Sequence, residues 1–230
     1  MKPNDTLEVT EPSPMPVDTR EWAKQLNLSN FVNSYYQYRD IQSLDECKKI
    51  LIIGPGQGLD TEIFKWRGYD VSTFDIDETF KPDYMGSVHD LSQFDDHEYD
   101  AIIASHVLEH LPVNYLNDAL QEISRVSRYA LIYLPVHGRH IQFRFIPGFK
   151  GIDVSFTFNL FNYFVKPDGL QARYMGGQHF WEVGMRGWRV KDLEKRFSKY
   201  FEINKSYRNK DWLPSYNFVL KSKVNNTPEL

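Results

Sequence analysis

The sequence predicts an α/β protein built on a doubly wound, mostly parallel sheet of seven strands, and three observations predict it. The apolar run Ile50–Ile53 breaks into the turn Gly54-Pro55-Gly56-Gln57-Gly58 and resumes as a helix-like stretch, Leu59–Trp66. Beyond it, short apolar or β-branched runs alternate with helical patterns, which argues a parallel sheet with helices on both faces. The chain closes on a helical stretch, 190–197, and two strand-like runs, 200–206 and 217–223, which read as an antiparallel hairpin at the sheet edge.

Residues 1–20 hold Pro3, Pro12, Pro14 and Pro16 among acidic and hydroxyl side chains, a composition that buries little and predicts a disordered tail. Residues 21–46 form a helical cap: Trp22, Leu26, Phe31 and Val32 recur with helical period, either packed on the core edge or closing over a ligand. The main domain spans 47–230. Its second strand, Tyr69–Asp75, is followed by short strands over 84–88 and 99–104, a helix opened by Pro112 and running to Val126, and a strand from Tyr129 to Leu134.

Between 136 and 186 the helical period is lost, and the segment holds eleven aromatics and more basic than acidic side chains. A stretch this long without regular pattern is uncommon unless it is functional, so it reads as a lid inserted after the fifth strand.

A chain of 230 residues accommodates one sizeable domain with an insertion. A net charge of −4 argues against a nucleic-acid partner, which calls for a broad basic face. Cys47 is the single cysteine, which excludes a disulfide framework and a cysteine-based metal site. No apolar run reaches membrane-spanning length and no signal-peptide pattern is present, so a cytoplasmic protein is expected. The pattern leaves the oligomeric state open, a homodimer included.

The glycine turn is the chemical centre of the pattern. Three alternate glycines let the backbone turn sharply, and the helix that follows presents its amide-rich end to a ligand. Asp75 ends the second strand 21 positions after Gly54, where doubly wound folds place the acid that receives ribose hydroxyls.

These pieces resemble the class I S-adenosylmethionine-dependent methyltransferases of Rossmann-like fold, over roughly 47–128. ILIIGPGQG is similar to the family's first motif, and YDAIIASHVLEHL to its fourth strand and LEH turn; the HFWE segment, His179–Glu182, resembles glycan-cluster methyltransferases. The resemblance implies S-adenosylmethionine as cofactor, held by Gly54, Pro55, Gly56, Gln57, Gly58, Asp75, Ile76, Asp90, Leu91, Ser105 and His106, with Asp90-Leu91 flanking the adenine. Two positions depart from the family pattern: Ile52 stands where an acid is usual, and Ser127-Arg128 replaces a glycine turn before the fifth strand.

Two rival readings use the same residues. A nicotinamide oxidoreductase wants its third glycine at Leu59, whereas this chain has it at Gly58. His106 to His110 reads H-x-x-E-H, a metal-peptidase pattern, but His106 ends a strand and Pro112 disfavours the helix that would align the two imidazoles. No metal ligand is assigned. A third reading is a partner subunit that binds the cofactor without turnover.

Methyl transfer asks mainly for positioning in a dry site, and a hydroxyl acceptor also needs a base of near-neutral pKa. His110 and His179 are the candidates. The basic, aromatic insertion points to a small acceptor that is phosphate-bearing or nucleotide-linked, such as a sugar precursor, with His137, Arg139, His140, Arg144, Tyr174 and Trp181 as its binding residues. O-methylation of such a metabolite is the expected activity.

Overall fold

The structure is a computed structural model and describes residues 11–12, 25–145, 154–160 and 179–223. Most of the expected tail, residues 21–24 of the helical cap, Tyr174 and the side chains of Arg139 and Arg144 lie outside the described residues.

Nine strands and four α-helices are described. Strands β1 (Lys49–Ile53), β2 (Asp70–Asp75), β3 (Tyr84–Met85), β4 (Tyr99–Ser105), β5 (Ser127–Pro135), β8 (Phe201–Arg208) and β9 (Ser215–Ser222) form one seven-stranded sheet, ordered β3-β2-β1-β4-β5-β9-β8. The first five are parallel, and β9 returns antiparallel between β5 and β8. This is the predicted doubly wound sheet with its terminal hairpin. Strands β6 (Arg139–Phe145) and β7 (Val154–Leu160), inside the insertion, pair antiparallel with each other as a separate ribbon. The sequence reading assigned no strands there.

Strands β1, β4 and β5 are apolar on both faces because helices cover both; Ile50, Leu51, Ile102, Ile103, Leu131 and Ile132 are all fully buried. On one face lies α3 (Leu116–Val126), which buries Leu116, Ala119, Leu120, Ile123 and Val126 as its period predicts. Its end departs from the usual glycine turn for a visible reason: Ser127 is already extended at φ −135°, and its Oγ donates to Ile123 O at 2.9 Å. Helix α4 (Val190–Phe197) shares that face through Leu193 and Phe197.

On the other face, α2 (Leu59–Trp66) packs through Phe64 beside α1 (Leu28–Gln42). Helix α1 begins later than the sequence reading placed it. Asn27 caps it, its Oδ1 accepting from Asn30 N at 3.1 Å while Asn30 Oδ1 accepts from Asn27 N at 2.9 Å. The helix is anchored by Asp40, which is fully buried and accepts from Tyr133 Oη at 2.6 Å, from Tyr207 Oη and from Arg39 Nη2 at 2.9 Å. Tyr36 and Ile41 bury beside it. So α1 is part of the core, and the same helix turns Asn30, Asn33 and Gln37 toward the carboxyl ends of the strands.

Candidate functional site

A cavity of about 450 Å³ lies over the carboxyl ends of β1, β2, β4 and β5, within the usual range for small-molecule sites. Its floor is the glycine turn. Gly54, Gly56 and Gly58 have φ of +70°, +51° and +77°, a region that side-chain-bearing residues rarely adopt. Gly54 N donates to Phe74 O at 2.9 Å and Gly58 N to Pro55 O at 2.8 Å, so the turn is tied to β2 and closed on itself. Gly58 itself does not line the cavity; it caps α2.

Asp75 lines the cavity at the end of β2, its Oδ1 accepting from Asp77 N at 2.8 Å. Burial, reinforced by the neighbouring Asp77 charge, pushes its carboxyl up to about 6. Ile76 and Asp77 line the wall beside it, and Asp77 caps the turn at Glu78–Phe80. From α1, Asn33 Nδ2 donates to Ser105 Oγ at 2.7 Å, while Asn33 Oδ1 and Gln37 Oε1 are buried acceptors with no donor. A smaller cleft adjoins Gly54, Asp75 and Ile76 and is lined by Gly86, Ser87, Val88 and Pro12. Glu11, next to Pro12, accepts from Tyr115 Oη at 2.7 Å, so the described part of the N-terminal segment lies beside the site.

The opposite end of the cavity is a cluster of imidazoles and carboxylates. His106 ends β4 at φ +56°, with its ring 5.0 Å from that of Trp212 and Nε2 3.3 Å from Ser215 Oγ. A short 3-10 turn, Leu108–His110, follows and aims Glu109 and His110 at the cavity. Residue 180 then ties a distant segment to this turn, Phe180 N donating to Glu109 O at 2.8 Å. That places the His179 ring 4.7 Å from the His110 ring. His179 Nδ1 is 2.7 Å from Glu182 Oε1, and His137 Nδ1 is 2.9 Å from Glu182 Oε2. Burial works against ionising Glu182, but its two imidazole partners outweigh it and hold the carboxyl down at about 2. His179 is raised above the ordinary imidazole value, because Glu182 and Glu109 outweigh the burial that would lower it.

Glu109 has no exposure, and neither carboxylate oxygen has a hydrogen-bond partner. Burial opposes its charge, and the surrounding imidazoles of His106, His110 and His179 overcome that to hold it below the ordinary carboxylate range. His106 Nδ1 stands 3.6 Å from Glu109 Oε1.

With this geometry in view, the comparisons bear on the readings. Residues 51–129 match the family model described as "Methyltransferase domain". Over these residues the chain is similar to a methyltransferase domain. Among solved structures of the same fold are the PH0226 protein of Pyrococcus horikoshii OT3, at 14% identity and a TM-score of 0.54, covering 87% of this chain and 93% of that one. A SAM-dependent methyltransferase from Archaeoglobus fulgidus aligns at 17% identity and 0.53, covering 84% and 94%. The glycopeptide N-methyltransferase MtfA, complexed with S-adenosyl-L-homocysteine, aligns at 7% and 0.53, covering 84% and 89%. No curated protein sequence matches.

Most of the expected cofactor residues meet in the cavity: Gly54, Pro55, Gly56, Gln57, Asp75, Ile76, Ser105 and His106. So do His110, His179 and His140, expected as base candidates or acceptor-binding residues. His140 is held by two neighbours, Nε2 at 3.2 Å from Val136 O and Nδ1 at 2.7 Å from Arg208 Nη2.

Five expected site residues are corrected, Gly58 among them. Asp90 is exposed and caps Ser92 N at 3.1 Å, and Leu91 is fully buried in the core, its backbone clamped by Glu122 and Arg125. Ser87 and Val88, which follow β3 directly, line the adjoining cleft instead. Trp181 has no exposure and stacks on Trp188 with ring centroids 4.4 Å apart, so the indole is core and not acceptor wall. His137 stands behind Glu182 and does not line the cavity.

Asn33, Gln37, Glu109 and Glu182 were missed. Glu109 and Glu182 sit in the two densest histidine segments and could have been found there. Nothing in the pattern of α1 distinguishes Asn33 or Gln37 from ordinary polar helix positions.

Proposed function

We propose that the chain is an active methyltransferase that methylates a hydroxyl of a small anionic or sugar-containing acceptor. The observation that carries this reading is the single cavity joining the glycine turn and Asp75 at one end to His110 and His179 at the other. The residues present fit S-adenosylmethionine. The turn exposes backbone at Gly54 and Gly56, Asp75 can accept from a ribose diol, and the donorless Asn33 Oδ1 and Gln37 Oε1 suit an ammonium group. Those two amides from α1 supply acceptors where Ile52 supplies none.

When bound, S-adenosylmethionine supplies a methyl group on a sulfonium, already activated for transfer. What remains for the chain is to orient an acceptor, exclude water and take up a proton. Pro135, Val136 and Val107 supply apolar wall to the cavity. At its polar end His110 and His179 stand where an acceptor hydroxyl would lose its proton, and Glu182 fixes the His179 ring from behind. The excess of basic over acidic residues in the sequence of the insertion, Arg139 and Arg144 among them, favours an anionic acceptor; replacing both is expected to raise the acceptor KM, and unchanged kinetics would remove the charge argument.

The test is transfer from methyl-labelled S-adenosylmethionine to a panel of sugar nucleotides, sugar phosphates and amine-bearing analogues. Label in an ether of an anionic sugar supports the reading. Label confined to amines would overturn its hydroxyl part. Binding of the cofactor with no label in any acceptor or in cell extract would favour a non-catalytic subunit.

A further inference from the structure

We infer that Glu109, His110 and His179 form a site for one divalent first-row transition ion on the cavity wall. One ligand atom from each of the three lies within 4.8 Å of the others. Donors sharing an ion at about 2.1 Å stand ~3.4 Å apart in a tetrahedral arrangement, so modest side-chain closure completes the site. His110 Nε2 is already 4.0 Å from Glu109 Oε1.

Three independent features point to a cation there. First, Glu109 is wholly buried, and both carboxylate oxygens lack a hydrogen-bond donor. A buried carboxylate in that condition is costly unless a cation meets it. Second, the His179 Nδ1–Glu182 contact of 2.7 Å reproduces the carboxylate–histidine arrangement found behind metal-ligating imidazoles. With Nδ1 turned to Glu182, Nε2 is the nitrogen left to face an ion. Third, all three side chains line the cavity, so an ion held by them keeps open positions toward a bound molecule.

The donor set of two imidazoles and one carboxylate suits zinc, iron(II), cobalt(II) or manganese(II) rather than calcium or magnesium. The H-x-x-E-H spelling of the sequence therefore misdirects. His106 is turned to Trp212 and Ser215 at the end of β4, and the third ligand comes from His179, 69 positions beyond His110. With an ion bound, His110 and His179 would serve an acceptor oxygen as ligands to a Lewis acid rather than as free bases. The site itself rests on this geometry and not on the methyl-transfer reading.

Cobalt(II) titration of the chelator-treated full chain tests it, read by visible absorption and by metal per chain, with S-adenosylhomocysteine binding measured in parallel. The expected result is one cobalt per chain with ligand-field bands. Binding should be abolished in Glu109→Gln and His179→Gln, weakened about 10- to 100-fold in Glu182→Gln, and kept in the surface variant His97→Asn. If Glu109→Gln does not fold, His179→Gln and Glu182→Gln decide. No stoichiometric cobalt, or equal binding by wild type and His179→Gln, overturns the inference. Retained S-adenosylhomocysteine binding in that event leaves the methyltransferase reading standing.

Discussion

Gly54 and Val107 stand so close that a Cβ built on Gly54 would lie 2.5 Å from Val107 Cγ2. The first turn of the cofactor site is thus packed against the loop leaving β4, and the lack of a side chain at 54 is a requirement of that packing as well as of its φ of +70°. Gly54→Ala should cost about 2 kcal/mol from left-handed strain alone, a fall in Tm of roughly 4–8 °C for a domain of this size. Displacing Val107 should also weaken S-adenosylhomocysteine at least tenfold. Thermal melts and calorimetry check both, and wild-type binding by the variant would contradict the packing argument.

Asp75 carries a pH dependence. With its carboxyl at about 6 in the folded protein against an ordinary 3.8, ionisation is disfavoured by folding. Its contribution to stability is therefore present below the ordinary value and is lost as pH rises through about 6. Binding runs the other way, since the charged form is the better acceptor for ribose hydroxyls. S-adenosylhomocysteine affinity should climb between pH 5 and 7, and Asp75→Asn should flatten that climb. The same variant should gain about 1 kcal/mol of stability at neutral pH, allowing for the partial exposure of the carboxyl.

Gln37 bears on binding and folding together. Its Oε1 is buried without a donor, while its side-chain amide also bonds the buried Asp60 carboxylate. Gln37→Leu removes both, so cofactor affinity should fall about tenfold, by roughly 1.4 kcal/mol, and Tm should fall as well. Unchanged affinity in a folded variant would show that the amide serves Asp60 alone.

Asp40 tests whether α1 is core or a removable cap. It gathers hydroxyls from Tyr133 and Tyr207 and the Arg39 guanidinium at a fully buried position. Asp40→Ala leaves these donors unmet and should cost about 3–5 kcal/mol. A change under 1 kcal/mol in urea unfolding would mean that the helix docks weakly.

The parallel sheet was legible because β1, β4 and β5 are apolar on both faces along their central residues, as a doubly covered strand is. The glycine turn and Asp75 were legible for a similar reason: few residue types satisfy positive φ or a strand-end acid. Asp90 misled because an acid next to Leu91 looks alike on a cleft and on a capped turn. Glu122 and Arg125, 32 and 35 positions after Asp90, settle which it is. Trp181 misled for the reverse reason: its segment is chemically rich, yet His179 and Glu182 line the cavity while the indole between them falls on the core. The union of Glu109 with His179 depends on long-range backbone bonds, Phe180 N to Glu109 O and Val183 N to Pro135 O among them, which no local pattern announces.

The central claim is that the glycine turn and Asp75 hold S-adenosylmethionine in the described cavity. Calorimetric titration of the full chain with S-adenosylhomocysteine, with NAD and with each ligand against Asp75→Ala tests it most directly. The account predicts one S-adenosylhomocysteine per chain, strongly weakened binding in the variant, and no heat with NAD. Heat with NAD alone, or S-adenosylhomocysteine binding unaffected by Asp75→Ala, would contradict it.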